Sequence, residues 1–144
     1  MRNGLLLLIL LNATLPGQEA LVRVPGTSST VTDPVTGIPV RFTLAPFLAG
    51  ATEVTQAEYA ELMGTNPSAR KGEALPVTNV SWWNAIDYCN RLSRKEKRQP
   101  CYDLITGGLA PRCDGYRLLT DAEWSHAAGS AEESFSSDAG AEAA

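Results

Sequence analysis

One histidine, His126, is all that 144 residues contain, and that scarcity excludes several chemistries. A Ser/His/Asp triad would have to be assembled around this single imidazole, and no nucleophile elbow accompanies it. A facial iron site needs two histidines. No glycine-rich phosphate loop is present. Positive charge is also short, with 12 basic against 16 acidic residues and a formal charge of −4, so nucleic acid and anionic lipid surfaces are not expected partners. The longest apolar run, Leu5 to Leu11, is too short to span a bilayer. Behind Arg2 it reads as the core of a signal peptide over residues 1–20. Cleavage is expected near Ala20, with Ala13 as second choice and an uncleaved anchor as the competing reading. No cysteine lies near residue 20 to carry a lipid. What is present, at 44% hydrophobic, suffices for one ordinary domain, expected to be secreted or periplasmic.

Cysteine is scarce and odd in number, at three. In an exported chain these are disulfide partners before they are metal ligands. Cys101 and Cys113 bracket a turn-rich loop and are the expected bridge, a closure that contributes about 3 kcal/mol in the chain-entropy model. Cys89 sits in a segment of helical periodicity and is expected as a buried thiol. The alternative, Cys89 as a nucleophile, lacks an apparent base.

From Leu21 to Phe47, valines and isoleucines interrupted by Pro25-Gly26, Asp33-Pro34 and Gly37 predict short strands joined by tight turns. Ile38 to Leu44 alternates as a half-buried strand does. Thr55 and Glu58 have the spacing of a capping box for a first helix, with Tyr59, Leu62 and Met63 on one face and Gly64 as its stop. A second helix is expected from Ser81, with Trp82, Ile86, Cys89 and Asn90 at helical spacing. Its basic tail, RLSRKEKR, reads as a solvated helix end that suits the backbone dipole, against the alternative of an anion site. Thr120 and Glu123 repeat the capping box, with Asp121 in the first turn; Trp124, Ala127 and Ala128 form a stripe, and Gly129 is the expected end. Tyr116 to Leu119 is short enough for a buried strand. Residues 130–144, small and acidic apart from Phe135, are expected to be disordered. Asn79-Val80-Ser81 matches a glycosylation sequon, but Ser81 is explained as a helix cap.

Six pieces in fixed order carry a family resemblance: VRVP at Val22, a strand ending in Pro46-Phe47, Glu53-Val54-Thr55 with Tyr59, MGTNPS from Met63, LPVTNVSWWNAIDYCNRLS from Leu75, and GYRLLTDAEWSHAA from Gly115. Together they resemble the N-terminal half of the formylglycine-generating enzyme, or sulfatase-modifying factor, family over residues 21–129. The resemblance implies an α+β, incomplete C-type-lectin-like fold of short strands with about three helices. Leu119 stands where the family has proline, Asp121 replaces glutamate, and Ser125-His126 replaces a Glu-Tyr pair.

The activity implied for a complete family domain is oxidation of a sulfatase cysteine to formylglycine. Copper held by two thiolates, which are soft ligands suited to copper(I), would serve it, and calcium is a further cofactor of such domains. The partner would be a protein or peptide substrate. The family's catalytic cysteines lie beyond the stretch that ends this chain, so no catalytic residue and no metal ligand is expected here, and the chain reads as truncated and without oxidase activity. Cys101 and Cys113 as metal ligands are the weaker alternative to a bridge. The residues expected to be structural are Trp82 and Trp124, as large apolar area for the core yet poorly covered in a chain that lacks the closing strands, and Arg117 with Glu123, as a buried ion pair or, on the other reading, two exposed side chains. A non-catalytic exported binding or accessory domain on the same scaffold is the competing functional class; many members, particularly multi-domain bacterial ones, look like scaffolds without a cysteine pair.

Overall fold

The computed structural model of the protein describes residues 21–32 and 35–138, with side chains described outside 31–32 and 130–138. The expected signal peptide, the Asp33-Pro34 turn and residues 139–144 lie outside the described residues. Four strands come first: β1 (Leu21–Val24), β2 (Thr27–Thr32), β3 (Pro39–Leu44) and β4 (Phe47–Gly50). Three helices follow: α1 (Gln56–Met63), α2 (Trp82–Lys95) and α3 (Asp121–Asp138). The strands form two separate two-stranded sheets, β1 with β4 and β2 with β3. Short antiparallel strands beside three helices are the mixed α and β arrangement expected.

The chain divides into two compact units. The first comprises residues up to Val22 together with Leu48–Leu119. Its core is Val54, Tyr59, Ala85, Tyr88, Cys89 and Tyr116, with Leu48, Leu62, Val77, Leu92 and Leu118 packed against it. Tyr59 and Tyr88 stack at 5.4 Å between centroids, joining α1 to α2 through two large rings whose burial outweighs that of any aliphatic pair here.

Each helix starts where local chemistry says it should. Thr55 Oγ1 accepts from the Glu58 amide while Glu58 Oε2 accepts from the Thr55 amide at 2.8 Å, so two otherwise orphaned donors of α1 are satisfied. Gly64 closes α1 at φ 76°, a left-handed position that glycine adopts without steric penalty. Ser81 caps α2 by accepting from Asn84 N. The basic end of α2 is solvated in part: Lys95 pairs with Glu61, and Arg98 approaches Glu96 at 3.6 Å.

The second unit comprises Arg23–Phe47 and the chain from Thr120 onward. Its β2–β3 ribbon pairs Thr27 with Leu44 through to Thr32 with Pro39. Only Phe42 and Leu44 of β3 are partly covered, whereas Val40 is 51% exposed. The half-buried strand expected over 38–44 is thus covered at one end only, at Phe42 and Leu44.

Three further expectations need correction. Tyr116 to Leu119 forms no strand; Tyr116 is buried, but the segment carries only an isolated bridge at Leu118. Its polar backbone is satisfied by side chains instead, Tyr116 N donating to Ser93 Oγ and Leu118 N to Tyr102 Oη. Helix α3 runs through Gly129 to Asp138, so the predicted stop fails and 130–138 is helical rather than disordered. Gly129 is not left-handed, and a mid-helix glycine costs only about 1 kcal/mol, which the alanines and glutamates around it can offset once the helix is nucleated. Finally, Trp82 and Trp124 are 50% and 39% exposed, so neither serves as a core residue, while the expectation that both are poorly covered in this chain is met.

Candidate functional site

The chemistry-bearing residues of the first unit gather where α2 meets the loop after it. Helix α2 is amphipathic, and the buried side holds Ile86, Cys89, Asn90 and Ser93. Asn90 is fully buried and grips the backbone of Tyr102 from both sides: its Nδ2 donates to the Tyr102 carbonyl at 2.7 Å and its Oδ1 accepts from the Tyr102 amide at 3.0 Å. One amide side chain thereby replaces a pair of ladder hydrogen bonds. Next to it Cys101 is bonded to Cys113, with Cα atoms 5.2 Å apart. Within the ring so formed, Asp103 N donates to Gly108 O, Gly107 N to Asp103 O and Ala110 N to Cys101 O. Asp103 accepts from the Ile105 amide and the Thr106 hydroxyl, which hold its carboxyl below the usual range and stabilise its charged form.

This loop rests on the indoles that open α2. Gly107, at φ +74°, comes so close that a Cβ there would stand 2.6 Å from the Trp82 ring. Trp82 and Trp83 meet edge to face at 5.0 Å, and Tyr102 adds a third ring 6.4 Å from Trp82. The two tryptophans therefore form an exposed aromatic surface in place of a core.

The thiols fit no copper site. Copper(I) calls for two thiolates; Cys101 and Cys113 are spent on each other, and Cys89 is fully buried, with burial pushing its thiol up to about 12. At neutral pH it stays a protonated, unreactive thiol, which disposes of the nucleophile alternative. His126 places Nε2 2.9 Å from the Pro25 carbonyl, an exposed contact within the second unit that fixes Nε2 as the protonated nitrogen. Among the described residues no three His, Cys, Asp or Glu side chains gather as a metal would require, so calcium finds no carboxylate cage there.

Glu123, 8% exposed, completes the cap of α3: its Oε2 accepts from Thr120 N at 2.9 Å and from the Thr120 hydroxyl, while Glu123 N donates back to Thr120 Oγ1. Arg117 directs Nη1 to the Leu118 carbonyl at 3.1 Å.

A second polar centre, with no apolar signature, organises the segment 64–80. Gln56, 2% exposed, donates to the Arg70 and Pro76 carbonyls and accepts from Asn66 Nδ2 and Gly72 N. Ser68, 1% exposed, accepts from Thr78 N. The motifs MGTNPS and PVTNVS are thereby explained as two ends of one hydrogen-bonded loop system. The only sequence hint of it is Pro67, which restricts Asn66 to extended backbone.

The sequence model of the family described as Sulfatase-modifying factor enzyme 1-like domain matches residues 12–144, a longer stretch than the 21–129 covered by the motifs. The chain is similar to the chaperone protein LppX of Paenibacillus barcinonensis, 38% identical over 109 residues that make up 64% of this chain and 39% of that one. Among solved structures, Treponema denticola variable protein 1 superimposes with a TM-score of 0.63 at 29% identity, covering 75% of this chain and 51% of that one. CarF does so at 0.59 and 29%, covering 76% and 56%. The chain thus spans about half the length, or less, of these relatives. With a family match across most of its length and C-type-lectin-like structural neighbours, the chain belongs to the sulfatase-modifying factor (formylglycine-generating enzyme) family.

Proposed function

We propose that this chain serves as a non-catalytic accessory domain on the sulfatase-modifying factor scaffold, exported from the cytosol and acting on another polypeptide by binding. The observation that carries the reading is the state of the thiols: all three cysteines are accounted for, two in a bridge and one as a buried, protonated thiol. A thiolate pair for oxidative chemistry is not available from these residues. The likeness to a protein described as a chaperone supports the same class, and the Cys101–Cys113 bridge is compatible with an oxidising compartment. Accessory binding needs a rigid, preorganised scaffold and no reactive centre, and the capped helices, the ringed loop and the satisfied polar networks provide one.

A second reading keeps the family's oxidase chemistry for the whole protein, whose relatives are about twice as long as the matched stretch. It is supported by family membership alone. Two assays separate the readings, refolding with the purified chain and peptide oxidation with the whole protein that contains it. Refolding of a chemically denatured test protein should give less light scattering when the chain is added at equal molarity. A sulfatase-derived cysteine peptide should keep its mass on incubation with copper and oxygen. Conversion of the peptide to the aldehyde overturns the accessory reading, as does scattering that the chain leaves unchanged.

A further inference from the structure

The ring closed by Cys101 and Cys113 is anchored on both sides by bonds in which sulfur takes no part. On the near side, Asn90 fastens Tyr102 through both halves of its amide, and the turn that follows is closed by Asp103 N to Gly108 O, Gly107 N to Asp103 O and Ala110 N to Cys101 O. Beyond the ring, Asp114 Oδ1 accepts from the Gln99 amide at 2.7 Å, Asp114 O accepts from Arg98 Nη1, and Tyr116 N donates to the buried Ser93 Oγ. Between Ala110 and Asp114 the pattern breaks. Pro111 has no amide hydrogen to give, Arg112 makes no hydrogen bond among the described residues, and Cys113 is attached there by its disulfide alone. Because Ala110 N already returns the chain to Cys101, the sulfur link adds to the folded state only a tether on residues 111–113.

We infer that the Cys101–Cys113 bridge is a reversible redox clip whose reach is confined to Pro111–Cys113: reduction frees that segment and leaves the turn moored to α2 and the first unit folded. A dithiol reductant carries this out by exchange. Its thiolate attacks one sulfur of the bridge, and the other sulfur leaves as a thiolate and takes up a proton. The second thiol of the reductant then displaces the first, so the reductant ends as a disulfide and the chain, having gained a pair of electrons and a pair of protons, as two thiols. What the bridge contributes to stability lies mainly in the unfolded chain, whose freedom it restricts over a separation of 12 residues, so that contribution is lost without redrawing the loop. Folding of the first unit therefore does not wait for oxidation, since the turn brings both cysteines together before the bond is made. This holds whatever the domain binds.

Amide hydrogen exchange of the full chain, oxidised and with dithiothreitol, tests the inference. A Cys101→Ser/Cys113→Ser double variant supplies the open state independently of the reductant's access to the bond. Opening the bridge lowers protection everywhere by lowering global stability, so the loss at the Tyr102, Gly107 and Ala110 amides should match that of the α2 amides to within about tenfold. Loop amides that lose more than about tenfold beyond α2 would show that the bridge itself holds the turn, and would overturn the inference. So would a reduced chain, or a double variant, that no longer folds.

Discussion

Glycine 115 offers the sharpest test of how the first unit is packed. A Cβ placed there would lie 2.3 Å from the Gln99 carbonyl oxygen and 2.4 Å from Ser93 Oγ, distances at which atoms have to move. Neither neighbour is free to give. Ser93 Oγ donates to Cys89 O at 2.7 Å and accepts from Tyr116 N at 2.8 Å, and Ser93 is itself fully buried. Overpacking of this kind costs about 1–3 kcal/mol, and displacing the Tyr116 bond adds about 1 kcal/mol. Gly115→Ala should therefore cost about 3 kcal/mol, a large part of the roughly 5–15 kcal/mol that holds a domain. For a chain of this size that lowers Tm by about 10 °C. Gly129→Ala is the matched control, because a Cβ at that helical position meets nothing within 4 Å and should stabilise by up to about 1 kcal/mol. Thermal melts followed by circular dichroism read both signs. An unchanged melt for Gly115→Ala would refute the claim that Ser93 and Gln99 close tightly over this backbone.

Other consequences are as direct. Asn90→Ala strands the Tyr102 amide and carbonyl beside a cavity and should cost about 3 kcal/mol, measured by urea denaturation. Glu123→Ala removes half of the α3 capping box and should cost about 1 kcal/mol, seen as lost helicity; a loss several times larger would show that the buried carboxylate does more than cap. The folded pKa of Cys89 is raised from 9.0 to about 12, so its contribution is intact below pH 9 and is lost as pH climbs from about 9 to about 12, at about 1.4 kcal/mol per pH unit. Burial raises the Tyr88 and Tyr59 hydroxyls too and steepens the loss above pH 10, whereas Cys89→Ala should flatten the first part of the curve. A thiol reagent should find no reactive cysteine in the native chain, one after unfolding and three after unfolding with reductant; a fast native reaction contradicts the burial of Cys89.

The parts of this fold that could be read in advance are local ones. Thr55 with Glu58, Ser81, Gly64, and Thr120 with Glu123 are signals whose physics is complete within four residues, and each cap lies where the spacing puts it. The Cys101–Cys113 pair was legible for a similar reason, a turn-rich loop with nearby ends. What depends on a facing layer was not. Periodicity places Trp82 on the same stripe as Ile86 and Cys89, but whether anything lies over the first turn of α2 is a tertiary matter, and the indole is half in solvent. Gln56, Ser68, Asn90 and Ser93 are the converse: polar residues with no apolar signature, yet all buried because each finds backbone partners. Gly129 misled because glycine is equally at home at a helix stop and, at modest cost, inside one.

The grip of Asn90 is on main-chain atoms alone, and Ala110 N closes the far end of the turn on the Cys101 carbonyl. Side chains between 103 and 109 take no part in either attachment. Substitutions at Leu104, Ile105 and Leu109 can therefore redraw what the loop presents to solvent while its mooring to α2 stays as it is, whereas Asp103, Thr106 and Gly107 shape the turn itself; the three exposed apolar positions are the natural place for related chains to differ in what they recognise.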